Sequence, residues 1–132
     1  MQIVVPGDPV SQHRPRFSRK SGRAFNSQHE VDNNITWHVA KEWTIAPLEG
    51  PIELDLTFYI KIAKSTSKKK RALMLDQPCL KHKDIDNFLK KYLDCMVGIV
   101  FPDDSQVWSI TAKKIWSDAP RTVINIRTNV VA

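Results

Sequence analysis

Asp84-Ile85-Asp86-Asn87-Phe88-Leu89-Lys90-Lys91-Tyr92-Leu93-Asp94-Cys95-Met96-Val97-Gly98 is the stretch on which the fold turns, and Asp103-Asp104-Ser105-Gln106 follows it closely. The spacing predicts a helix from Asp86 to Val97. Ile85, Phe88, Leu89, Tyr92, Leu93 and Met96 form its core face, and Gly98 is a natural terminator. Asp86, Lys90 and Asp94 fall at successive i, i+4 positions and draw a polar stripe along the other face. Two carboxylates thus stand one residue apart at a helix start, with Lys90 one turn further in. Crowded carboxylates resist ionisation unless a cation joins them.

The return path is long enough to bring a third carboxylate to the first two. The helix rises roughly 17 Å at ~1.5 Å per residue. An extended chain from Gly98 to Asp104 covers about 20 Å. Asp104 is therefore expected beside Asp84 and Asp86. Such convergence builds oxygen-rich Mg²⁺ sites, and a lysine one turn along can neutralise charge on a phosphate. The plainer reading makes Asp84 and Asp86 helix-cap charges and Asp103-Asp104 turn chemistry.

Working outward, Ile52 to Ile62 alternates as one long strand. Ile52, Leu54, Leu56, Phe58, Ile60 and Ile62 share its buried face; Glu53 and Asp55 take the outer one. Gln2–Val5 reads as a short strand stopped by Pro6-Gly7. Residues 28–44 read as a helix, with Ser27 and Glu30 as a capping box. Arg19-Lys20-Ser21-Gly22-Arg23 reads as a hairpin tip with Phe17 and Phe25 on its arms. Ser65-Thr66-Ser67 caps a short helix over 68–75, and residues 106–114 and 122–128 form two final strands around Asp118-Ala119-Pro120. The pattern is α+β: one domain over 1–132, a mixed sheet packed against two main helices.

The chain is 132 residues long with a formal net charge of +6. Its sequence pI is near 9.5. An excess of Lys and Arg attracts polyanions, nucleic acid above all. Arg14, Arg16, Arg19, Lys20 and Arg23 occupy a loop made rigid by prolines. Lys68, Lys69 and Lys70 open the short helix, where cations oppose the macrodipole and a passing phosphate backbone would reward them. Lys81 and Lys83 precede the acidic pair. Two cysteines, Cys79 and Cys95, are too few for a disulfide framework and imply a reduced, cytoplasmic setting. No run approaches ~18 apolar residues, so no membrane span is expected.

Asp84-Ile85-Asp86-Asn87-Phe88-Leu89-Lys90, then Asp94, then Asp103-Asp104-Ser105-Gln106-Val107 with Lys113-Lys114, closely resembles the RusA family of Holliday junction resolvases. Gly7-Asp8-Pro9 with Arg14-Pro15-Arg16-Phe17 looks like the start of phage-type members. These are small endodeoxyribonucleases, often prophage-borne. The resemblance implies a homodimer that uses Mg²⁺ or Mn²⁺ and cuts paired strands of a four-way junction symmetrically. It carries the family's carboxylates onto Asp84, Asp86 and Asp104, with Asp103 beside them, and the family's lysine onto Lys90. The loop over 77–83 has no aromatic residue with which to wedge a junction open. Two other readings stay open: a metal-dependent nuclease for flaps or forks, and a non-catalytic DNA-binding protein whose acidic patch is structural.

Overall fold

The computed structural model describes residues 1–12, 16–17, 24–25, 29–81 and 84–128. Strand β4 (Ile52–Lys61) organises the sheet, because its alternation is complete. Ile52, Leu54, Leu56, Phe58 and Ile60 are all at most 5% exposed. It runs parallel to β5 (Val107–Ser117) and antiparallel to β6 (Arg121–Thr128). With β1 (Gln2–Pro6) added beyond β6, the order is β1-β6-β4-β5, a mixed sheet. Leu54 lies opposite Ile126, and Leu56 opposite Ala112 and Ile124, so one face is apolar across neighbouring strands.

That face is covered by two helices, α1 (His29–Glu42) and α3 (Ile85–Met96). Ile35 and Val39 come from α1, and Phe88, Tyr92 and Met96 from α3, into one core. Phe58 stacks on Phe88 with ring centroids 5.1 Å apart and meets Tyr92 at 5.6 Å. The α+β reading and both main helices are as the sequence implies; Gly98 ends α3 with φ +85. Lys91 is the surprise of α3: it is 1% exposed, and its ammonium pairs with Asp32 of α1. The capping box expected for α1 needs Ser27, which lies outside the described residues.

Short helix α2 (Lys68–Met74) follows β4, with the Ser67 hydroxyl accepting from the Lys70 amide. The chain then lies along the outer edge of β5. Asp76 donates its amide to Trp116, Trp116 to Gln77, and Cys79 to Lys114, at 2.9–3.0 Å. This partial fifth strand delivers Leu80 and Lys81 to the start of α3. Asp76 has φ +63, the left-handed turn that takes the chain out of α2.

The two last strands are not neighbours. Both flank β4, so the connection over 118–120 crosses its C-terminal end. Ser117 Oγ accepts from the Ala119 amide at 3.0 Å there, and Arg121 Nη1 donates to the Ala119 carbonyl at 2.8 Å. Arg71 of α2 pairs with Asp118 and so ties that crossing to the helix. The hairpin expected around 19–23 has its arms, β2 (Arg16–Phe17) pairing antiparallel with β3 (Ala24–Phe25), while its tip lies outside the described residues. Among the described residues no helix is long and apolar enough to cross a membrane.

Candidate active site

Asp84 is the N-cap residue of α3, exposed, and its side chain makes no capping bond. Residues at this position ordinarily engage their side-chain oxygen with the first free amides of the helix. Asp84 does not, so a cap does not account for its carboxylate. Asp86, in the first turn, accepts from the Asn87 amide at 3.0 Å. Both line a cavity of about 610 Å³ together with Asp76, Lys113 and Lys114. Lys90 and Asp94 follow on the exposed stripe of the helix, as their spacing implies.

The return to Asp103-Asp104 is shorter in reach than its length allows. Instead of extending, the chain coils against the end of α3: the Ile99 and Val100 amides both donate to Met96, and Gly98 donates to Phe101. A 3₁₀ turn, Asp104–Gln106, then opens β5. Asp103 caps it, accepting from the Ser105 amide at 3.1 Å, while Gln106 Oε1 accepts from the Asp103 amide at 2.9 Å. The Gln106 amide group donates onward to the Leu48 and Gly50 carbonyls. Gln106 is thus the fastener that holds the acidic turn against the loop before β4. A capping-box pattern in Asp103-x-x-Gln106 was the available signal for its bond to Asp103.

These bonds separate the roles of the two aspartates. The Ser105 amide, and then the Asp104 carboxyl, hold Asp103 below the usual carboxylate range. Asp104 is raised, first by its hydrogen bond with Asp103, then by slight desolvation and by the charges of Asp103 and Asp94. Asp104 therefore feels Asp94, in the second half of α3. Among the described residues no three His, Cys, Asp or Glu side chains gather closely enough to hold a metal ion. Asp84, Asp86 and Asp104 make no such group among the described residues, and the coiled return leaves Asp104 near Asp94. The donors are all hard carboxylate oxygens, the chemistry of Mg²⁺ or Mn²⁺, but they stand in two groups along α3.

The basic residues are only partly in view. Lys68, Lys69, Lys70 and Lys81 are exposed. Arg14, Arg19, Lys20, Arg23 and Lys83 lie outside the described residues, as does the side chain of Arg16. The beginning of their loop is nevertheless fixed at α3: the Gln12 amide donates to the Asn87 carbonyl at 2.9 Å, and the Val10 amide to Tyr92 Oη at 3.2 Å. Lys114 reaches the Lys81 carbonyl at 3.2 Å. The register of β5 brings Lys113 and Lys114 to the acidic pair, which residue spacing alone does not reveal.

The family model described as endodeoxyribonuclease RusA matches residues 6–127. The chain is also similar to the uncharacterized protein YqaN of Bacillus subtilis (strain 168), at 30% identity over 138 aligned positions. That alignment covers 96% of this chain and 95% of the relative.

Proposed function

The chain belongs to the RusA endodeoxyribonuclease family, and from that premise we propose that it resolves four-way DNA junctions by paired, symmetric nicks. The match across residues 6–127 carries the reading. Support comes from the uncapped Asp84 carboxylate beside Asp86, in a cavity that also holds Lys113 and Lys114.

Asp84, Asp86 and Asp104 would hold a divalent cation, Mg²⁺ with Mn²⁺ as substitute, once its binding draws the acidic turn toward the head of α3, and Asp103 would support Asp104 through the capped turn. Such an ion, when bound, polarises the scissile phosphate and lowers the pKa of an attacking water. Lys90, exposed on the helix stripe between Asp86 and Asp94, would stabilise charge that grows on the phosphate oxygens. Arg14, Arg16, Arg19, Lys20 and Arg23, with Lys68, Lys69, Lys70, Lys81 and Lys83, hold the flanking backbones by neutralising phosphates. The working unit is a homodimer, since a four-way junction offers two equivalent strands and closed two-fold symmetry matches them. Its compartment is the cytoplasm, where the free, buried thiols of Cys79 and Cys95 stay reduced.

One observation favours a second reading, a DNA-binding protein that does not cut. Asp103 is engaged in a cap and the carboxylates are in two groups, as a structural acidic patch would be. A single assay separates the readings. Labelled four-way junction, flap and duplex are each incubated with Mg²⁺ or with EDTA. Paired nicks on the junction, dependent on Mg²⁺, are the expected result. Cutting confined to flaps reassigns the substrate, and tight binding without any cutting overturns the nuclease reading.

A further inference from the structure

Next to the acidic cavity lies a larger cleft of about 1160 Å³, and Pro78 and Leu80 line both. Its walls are apolar: Ile60, Met74, Trp116 and Leu80 among them. Its rim is basic, with Lys61, Lys64, Lys70 and Lys81 all lining it and all exposed, against Asp8 as the carboxylate. Leu80 stands at the lip with 90% of its surface open to solvent. Trp116 is held on a rigid strand, its backbone bonded to Asp76 and Gln77. We propose that this cleft receives an unstacked nucleotide of the bound DNA, its base against Trp116 and its phosphates on the lysine rim. The proposal rests on the nuclease reading and adds a subsite to it.

Two properties select that occupant. Four lysines choose a polyanion over a neutral or basic partner. An apolar wall with an indole chooses the face of a base over the sugar-phosphate backbone, which has no apolar face to bury. A base paired within a duplex has both faces covered by its neighbours, so only an unstacked one fits. Unstacking is least costly where the duplex is already interrupted, and a branch point is such an interruption. The volume exceeds the ~300–1,000 Å³ of ordinary small-ligand pockets, so a nucleotide and its flanking phosphates have room. Pro78 and Leu80, which line both cavities, place the held nucleotide next to Asp84 and Asp86.

The test uses the whole chain in EDTA, so that binding is read without cutting. Four-way junctions carry 2-aminopurine at single positions next to the crossover. Saturating wild-type protein should raise its emission severalfold at one or more positions. Ala63→Trp fills the cleft from an exposed wall position, and Leu80→Asp repels phosphate at the lip. Each should remove most of the rise and weaken binding by roughly tenfold, the scale of one base–aromatic stack. As a measurement free of variants, 5-iododeoxyuridine at the responsive position should cross-link on irradiation to the peptide containing Trp116. A rise that survives in both variants, or a cross-link to other peptides only, overturns the cleft as the subsite. A wild type that cuts junctions with Mg²⁺ yet shows no rise overturns it too, and leaves the nuclease reading intact. A rise blocked by the variants in a protein that never cuts supports the cleft and overturns the nuclease.

Discussion

Asp84 and Asp86 stand one residue apart, yet Asp86 accepts from the Asn87 amide while Asp84 makes no capping bond. Replacing Asp86 by Asn keeps the shape and that bond but removes a charge the cation requires. Cutting should fall at least ~100-fold, since metal-borne charge stabilisation is several kcal/mol. Junction affinity measured in EDTA should hold or tighten, as repulsion of phosphate is relieved; near-normal cutting would reject the assignment. Asp103 and Asp104 make a second residue-scale test. The Ser105 amide lowers Asp103, whereas Asp104 is raised by its bond to Asp103. The signs oppose: what Asp103 contributes is lost as pH falls through its native pKa, and what Asp104 contributes is lost as pH rises through its own. Global stability therefore hides both, and site-resolved NMR titration is the measurement. In EDTA, Asp104 should titrate above Asp103, and Asp103→Asn should bring Asp104 back toward the ordinary carboxylate range. That these four aspartates fall at the head of α3 and in the turn before β5 was legible from spacing; how the two pairs lie relative to each other was not. The fastening role of Gln106 was not, since its partners Leu48 and Gly50 are far away in sequence.

Helix α3 carries the acidic motif and is held from both sides, by Phe58 beneath and by α1 alongside. An apolar stripe read from sequence shows which face meets the sheet. It does not show the flank that meets a second helix, and Lys91 lies on that flank. Burial of its ammonium against Asp32 creates an asymmetric dependence. Asp32→Ala leaves a buried cation without its counter-charge and should cost ~3–5 kcal/mol in chemical denaturation. The double replacement Asp32→Leu with Lys91→Met should lie close to wild type; equal losses in both would mean that the pair is not what holds the seam. Helix α2 poses the opposite case. Lys68, Lys69 and Lys70 crowd its N-terminus, so changing all three to Ala should leave the melting temperature unchanged or raise it. Junction affinity should weaken, with the log–log salt slope smaller by about one unit for each phosphate no longer neutralised. An unchanged slope would make these lysines bystanders.

For the whole molecule, the proposed dimer needs a free surface, and the sheet order limits the choices. Strand β4 has both edges paired within the chain, so residues 52–62 offer no edge to a partner. Of the tryptophans suited to a contact, Trp43 is 7% exposed and belongs to the core. Trp108 is 60% exposed and Ile110 40%, on the part of β5 that precedes the edge cover from residues 76–79. Wild type should sediment at about twice the 15.1 kDa chain mass, and Trp108→Glu at the chain mass. A dimer unmoved by that change would place the contact elsewhere. Strand order is the part of the fold least legible in the sequence: alternation identifies strands but not their neighbours, and nothing local says that β4 separates β5 from β6. The same order has a consequence for how the protein is made. Gln2 bonds Asn125 across 123 positions, so β1 leaves the ribosome long before the strand it pairs with. At ~5–20 residues per second that wait is on the order of ten seconds. Strand β4 waits as well, since both of its partners come later in the chain. The sheet therefore cannot close before β6 has been made, and no nascent chain that stops short of β6 can hold the acidic motif against a finished core.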